Sequence, residues 1–247
     1  MSKLNHAIEN VLNSQRSSNK PLAIILAGHN GSGKSTMWYK HLADKLQVPL
    51  INADRMMLSI LPEPMEDGKI TAWAGEIRDN DQSWMKVAQK GVEAFVAQAM
   101  VNKVPFAMET VFSHWVEQSD GSFNSKIQLI NQMQENGYFV LLIFVGLSSA
   151  QLSIARVSTR VAMGGHNVSI EKLNGRFPRT QQAIKNAISV ADAAILADNS
   201  QEADKAFTVC RIQLRDEVAY DLRNNTRLAP QVIREWLDIV SPLDSQK

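Results

Sequence analysis

The run Gly28-His29-Asn30-Gly31-Ser32-Gly33-Lys34-Ser35-Thr36 sets glycines, a lysine and two hydroxyls at the spacing G-x-x-x-x-G-K-[ST]. Glycines at 28, 31 and 33 let the backbone curl so that successive N–H groups turn inward onto an anion. A helix starting near Lys34 would aim the positive end of its dipole at the same point. Lys34 is then expected to bridge the β- and γ-phosphates and Ser35 to ligate Mg²⁺, with Asn30, Ser32 and Thr36 completing the loop. The chemistry implied is the binding of a nucleoside triphosphate, with ATP and Mg²⁺ as expected cofactors.

Two acids stand where such a site needs them. The apolar runs Val48–Ile51 and Pro105–Met108 read as strands that end near Asp54 and Glu109, and ligands of an open parallel sheet gather beyond its carboxyl strand ends. Phosphoryl transfer to a hydroxyl needs an acceptor for the hydroxyl proton, and Asp54 is the residue expected to serve. Glu109 is expected to hold Mg²⁺-bound water or substrate hydroxyls. Four arginines, Arg156, Arg160, Arg176 and Arg179, flank Gly164-Gly165-His166. Arg156 and Arg160 are four apart and share a helix face, so a lid of guanidinium groups could close over the γ-phosphate. His166, after two glycines, reads as a turn brace rather than a base.

The elements that must position these residues follow from periodicity. Leu22–Leu26 is a continuous apolar run, suited to a strand covered on both faces, and a helix is expected from about Lys34 to Leu46. Residues 55–80 carry Pro62, Pro64 and Gly68 and read mostly as loop with short helical pieces. A long amphipathic helix follows Asp81. A helix over about 122–136 ends at Gly137, ahead of the strongest strand, Tyr138–Val145. Ser148 or Ser149 caps a helix to about Ala162, and Ser169 caps another that Pro178 interrupts. Ala193–Ala197 is a further strand, an antiparallel pair is expected from Phe207–Cys210 and Val218–Tyr220, and a helix around 231–239 closes the chain. Strand–helix alternation over about 22–200 implies an α/β fold: a mainly parallel P-loop sheet flanked by helices, with a small C-terminal hairpin-plus-helix appendage over 201–247. Residues 3–16 form an amphipathic helix expected to pack on the same single domain.

Composition narrows the class further. Lys and Arg number 26 against 25 Asp and Glu, a balance that argues against nucleic acid as a partner. Cys210 is the one cysteine, so no internal disulfide forms and a reducing cytoplasm is the expected home. The longest apolar run, Tyr138–Leu147, is about half of what spans a bilayer, so no membrane partner is expected. Both Asn-Lys pairs lack the following Asp of a GTPase base reader, and no ABC-type signature is present. These absences favour a small kinase.

The ordered pieces Ala27–Thr36, Ile51–Asp54, Glu109–His114, Gly137–Leu147, Ile154–Val161, Gly164–Val168, Arg176–Arg179 and Asp198–Ser200 together resemble the zeta toxin family of P-loop kinases. The resemblance implies ATP-dependent phosphorylation of a sugar nucleotide, in the best-known members the 3′-hydroxyl of UDP-N-acetylglucosamine. It implies Asp54 as base, Glu109 as a substrate-site acid with Asn52 and Thr110 beside these acids on the acceptor side, and Arg160 with Arg176 or Arg179 near the γ-phosphate. It also implies a small antitoxin as a partner. His29 stands where the family usually has proline, Arg55 where an acid is common, and Gly175 where arginine is frequent. Other readings are a kinase for a dinucleotide or a nucleic-acid end, and a nucleotide-binding regulator without transfer activity.

Overall fold

The computed structural model describes residues 3–66, 68–165, 167–224 and 229–243. The chain opens with helix α1 (Lys3–Ser18) and strand β1 (Leu22–Gly28). A helical stretch follows as α2 (Lys34–Met37), a π turn (Trp38–Leu42) and α3 (Ala43–Leu46). Next come β2 (Leu50–Ile51), α4 (Ala53–Ser59), α5 (Ala72–Asn80), α6 (Gln82–Val101) and β3 (Phe106–Thr110). A hairpin of β4 (Trp115–Glu117) and β5 (Phe123–Ser125) leads into α7 (Ile127–Glu135), β6 (Phe139–Gly146), α8 (Ala150–Ala162) and α9 (Ile170–Ala187). The chain ends with β7 (Ala193–Asp198), β8 (Thr208–Leu214), β9 (Glu217–Asp221) and α10 (Gln231–Val240).

Seven strands form one sheet in the order β2-β3-β1-β6-β7-β8-β9. The first five in that order run parallel, and β8 and β9 join antiparallel. Every residue of β1, β6 and β7 is buried, which is what helices on both faces of a parallel sheet require. One face carries Ile25, Phe106, Leu142 and Phe144 under α6, α7, α9 and α10. The other carries Ile24, Leu26, Leu141 and Ile143, and α1 closes it with Leu4, Ala7, Ile8 and Val11. The apolar stripe of α1 is thus spent on its own sheet. Trp236 of α10 is buried and stacks on Phe144 of β6, so the last helix shares the main core.

Three local expectations are corrected. Residues 122–126 belong to a hairpin and to the approach of α7, not to a helix, because Trp115 stacks on Phe123 across the two strands at 4.6 Å. The segment 55–80 holds two helices, α4 and α5, with the prolines confined to the connection between them. Helix α9 runs through Pro178 without interruption: Leu173 and Phe177 before it, and Ala183, Ile184 and Ala187 after it, are all buried. That shared burial outweighs the lost backbone hydrogen bond.

Helix α9 also rests on the turn after β1. Phe177 stacks on His29 at 3.9 Å with 13° between the planes, and His29 meets the edge of Phe144 at 5.5 Å. Burial, helped by the Lys34 charge, pushes the His29 imidazole down to about 3. The folded protein therefore keeps His29 neutral where the unfolded chain, with a histidine near 6.5, takes up a proton. Stability present above pH 6.5 is lost as pH falls towards 3, by up to about 1.4 kcal/mol per pH unit. Urea unfolding at pH 7 and pH 5 should show the wild type losing about 2 kcal/mol more than His29→Phe. Equal losses would mean that another group titrates.

Candidate active site

Strands β1 and β3 lie side by side with Leu26 opposite Glu109 and Ala27 opposite Thr110. Their carboxyl ends therefore bring the glycine-rich turn and the Glu109 carboxylate to one place. The turn itself is shaped by two close approaches. A Cβ on Gly28 would come within 2.5 Å of the Val145 carbonyl. Gly33, at φ 89, lies in the left-handed region, and a Cβ there would meet Asn199 Nδ2 at 2.8 Å. Neighbouring elements brace the loop carbonyls: Asn199 Nδ2 donates to Ser32 O (2.9 Å) and Ser153 Oγ to Asn30 O (2.7 Å). Ser32 Oγ is buried with no hydrogen-bond partner, and Ser35 and Thr36 are exposed on the first turn of α2.

Lys34 is buried, yet it carries the charge the loop is built around. Its Nζ donates to Gly28 O (3.0 Å) and His29 O (3.1 Å) and lies 3.9 Å from Glu109 Oε1. Burial lowers its pKa and the charge of Arg160 lowers it further, while Glu109 and Asp54 oppose. The ammonium is therefore in the field of both acids.

Glu109 is held by the two elements on either side of it. Ser35 Oγ donates to Glu109 Oε2 at 3.0 Å and Asn52 Nδ2 donates to the same oxygen at 2.7 Å. Asn52 is also the N-cap of α4, its Oδ1 accepting from the backbone N–H of Asp54 (2.8 Å) and of Arg55 (3.2 Å). One side chain thus ties the Glu109 carboxylate to the backbone that carries Asp54. Asp54 stands in the first turn of α4 rather than on a strand tip, exposed, where the helix dipole favours a carboxylate. Thr110 Oγ1 accepts from Lys126 Nζ (2.7 Å) and from the Phe112 N–H (3.1 Å). Burial lowers the Lys126 pKa, with Glu93 opposing.

The arginines divide into two groups. On α8, Arg160 reaches the field of Lys34, and Arg156 lies against Gly31, whose added Cβ would be 3.1 Å from Arg156 Cβ. On α9, Arg176 is half-buried and lines a small cleft with His29, Asn30 and Ser153. Burial, then the Arg179 charge, lowers the Arg176 pKa. Arg179 is exposed, and its Nε donates to Gly175 O of its own helix at 2.9 Å. His166 lies outside the described residues.

Sequence reasoning missed Arg78 of α5. Its guanidinium pairs with Asp79 at 2.8 Å, donates to Gly164 O at 3.0 Å, and is in the field of Asp54. No motif marks it; only the packing of α4 and α5 on α6 and the bond to the Gly164 turn bring it in. Lys126, the N-cap residue of α7, has no motif either, and only its bond to Thr110 brings it in.

The parts suit a polyphosphate and a hard cation. Buried backbone, an ammonium and two arginines face the loop, while Ser35 Oγ and the Glu109 carboxylate are the oxygen donors that Mg²⁺ takes. Among the described residues no three His, Cys, Asp or Glu side chains gather as a metal cluster, so such an ion would complete its shell with phosphate oxygens and water. No helix among them is long and apolar enough to cross a membrane.

Comparison with known proteins bears on the family and the fold. The chain is 28% identical over 155 residues to an uncharacterized protein of Haemophilus influenzae, an alignment covering 63% of this chain and 91% of that one. Among solved structures it is similar to a chain of the PezAT chromosomal toxin–antitoxin system of Streptococcus pneumoniae, with TM-score 0.52, 14% identity, and coverage of 97% of this chain and 95% of that one. It is also similar to a chain of the AvrRxo1-ORF1:-ORF2 complex determined with ATP, with TM-score 0.58, 15% identity, and coverage of 99% and 72%. At these identities the structural likeness concerns the fold. Residues 6–206 match the Zeta toxin family. The chain belongs to the Zeta toxin family and has a P-loop kinase-like fold.

Proposed function

We propose that this protein transfers the γ-phosphoryl group of ATP to a hydroxyl of a small sugar-nucleotide acceptor, with the 3′-hydroxyl of UDP-N-acetylglucosamine the first candidate. The observation that carries the reading is the Asn52 bridge. It caps the helix that bears Asp54 and at the same time holds Glu109 against Ser35, so an exposed carboxylate and the phosphate loop share one frame. On binding ATP, Lys34 would exchange the carbonyls of Gly28 and His29 for phosphate oxygens. Ser35 and Glu109 would hold Mg²⁺, which when bound neutralises charge on the β- and γ-phosphates.

The acceptor oxygen attacks the γ-phosphorus, the bond from that phosphorus to the bridging oxygen breaks, and ADP departs. Asp54 takes the hydroxyl proton. Arg160 and Arg176 stabilise the charge that spreads over the transferring group as cationic hydrogen-bond donors. Asn52 and Thr110 face the acceptor. A small antitoxin covering the ATP site is the proposed partner and the cytoplasm the proposed location; the toxin–antitoxin system to which the PezAT neighbour belongs supports the first.

Two outcomes are expected in a coupled ADP-release assay with UDP-N-acetylglucosamine. Asp54→Asn should bind ATP as the wild type does and lose about 10²–10⁴-fold in turnover, while Lys34→Ala should lose both binding and turnover. Wild-type turnover by Asp54→Asn would remove it as the base. Arg176→Ala should lower turnover about 10²–10³-fold with Arg179→Ala close to wild type, and the reverse order would exchange their roles.

A further inference from the structure

The turn that leaves β7, Asp198-Asn199-Ser200, is tied at two points to the turn that leaves β6. The Asn199 N–H donates to Gly146 O (3.1 Å), and Ser200 Oγ accepts from the Ser148 N–H (2.7 Å). The buried Asp198 carboxylate closes the turn by accepting from the Ser200 N–H (3.1 Å). Ser149, next to Ser148, caps α8, so the start of that helix belongs to the same frame. The frame delivers two side chains to the outside of the phosphate loop. Asn199, 8% exposed, donates from Nδ2 to Ser32 O (2.9 Å). Ser153, in the first turn of α8 and 2% exposed, donates from Oγ to Asn30 O (2.7 Å).

Each of these bonds sets the orientation of a peptide plane. In a trans peptide the C=O and the following N–H point in opposite directions, and none of the described peptides is cis. Ser32 O directed at Asn199 therefore turns the Gly33 N–H away from the β7 turn. Asn30 O directed at Ser153 likewise turns the Gly31 N–H away from α8. Among the described residues neither N–H meets a protein acceptor, so both are open to an anion. Both planes run into a glycine with positive φ, 70 at Gly31 and 89 at Gly33. Glycine takes either sign of φ at little cost, so the chain alone does not keep these planes from flipping. A flipped plane would put a carbonyl oxygen where a phosphate oxygen has to lie, and the donated bonds favour the planes as they stand. We infer that Asn199 and Ser153 are positioning residues for polyphosphate binding, holding the Gly33 and Gly31 N–H groups towards the phosphates through the Ser32 and Asn30 carbonyls. This rests on the reading of the loop as a nucleotide site, and it assigns the groups that keep that site in shape.

The sequence contains a single Ser–Gly pair, Ser32–Gly33. The full chain carrying carbonyl-¹³C serine and ¹⁵N glycine therefore gives one carbonyl-selected amide signal, that of Gly33. A non-hydrolysable ATP mimic with Mg²⁺ is titrated in one arm and inorganic tripolyphosphate, which has neither base nor sugar, in the other. Each should shift the Gly33 signal of the wild type. Asn199→Leu keeps the size of the side chain and removes its donor without adding charge. It should bind both probes about tenfold more weakly, with its Gly33 signal displaced before either is added. Ser153→Ala should also bind both about tenfold more weakly, and it carries the test should Asn199→Leu fail to fold. Undiminished binding by either folded variant, an unmoved Gly33 signal in Asn199→Leu, or a loss for the ATP mimic that spares tripolyphosphate would each overturn the positioning role while the nucleotide site stands. A wild type that binds neither probe would instead refute the nucleotide reading, leaving these two residues nothing to position.

Discussion

An ammonium group buried at the foot of a loop has given up most of its water, and the surrounding residues are arranged to compensate it. Lys34 Nζ is satisfied by two carbonyls of its own loop and by the nearby Glu109 carboxylate. Carbonyls are weaker partners for a charge than phosphate oxygens, so the same position favours a polyphosphate in their place. Arg160 adds positive charge to the locus and makes it still more receptive to an anion. Glu109 cannot drift to neutralise the lysine fully, because Ser35 and Asn52 hold its other oxygen. The result is a site with positive charge held ready and one acid kept at a set place.

The sheet makes that arrangement possible. Strands β1, β3 and β6 put three carboxyl ends in register, and full burial of β1 and β6 on both faces leaves little freedom to shift. Helices α8 and α9 then bring Ser153, Arg160 and Arg176 onto the loop from one side, while α4 brings Asp54 from the other. The stack of Phe177 on His29 couples α9 to the loop directly, so the arginine-bearing helix and the phosphate-binding turn form one packed unit.

Much of this could be read from the residues because it rests on local rules. Runs such as Leu22–Leu26 and Tyr138–Val145 are apolar at every position, short and bounded by turn residues, which suits a doubly covered strand. The loop announces itself by glycines at positions where a Cβ would collide or the backbone is left-handed. What escaped depends on tertiary contact. A three-residue strand such as Trp115–Glu117 is too short to display alternation, and only its pairing with Phe123–Ser125 makes it a strand. Pro178 reads as a break until the buried residues on both sides of it are seen to anchor one helix. Arg78 has no motif, and only the packing of α4 and α5 on α6, with the bond to Gly164 O, brings it near Asp54. The different surroundings of Arg176 and Arg179 were likewise hidden: three residues apart, one lines the cleft and the other bonds to its own helix.

Transfer as proposed requires Lys34 and Asp54 to face the same phosphoryl group. A crystal structure with a non-hydrolysable ATP analogue and Mg²⁺ measures this directly. It should find Lys34 Nζ moved from the Gly28 and His29 carbonyls onto phosphate oxygens, with the Asp54 carboxylate opening towards the γ-phosphorus on the side away from the bridging oxygen. A nucleotide bound with Lys34 still on those carbonyls, or with Asp54 facing away from the terminal phosphate, would contradict it.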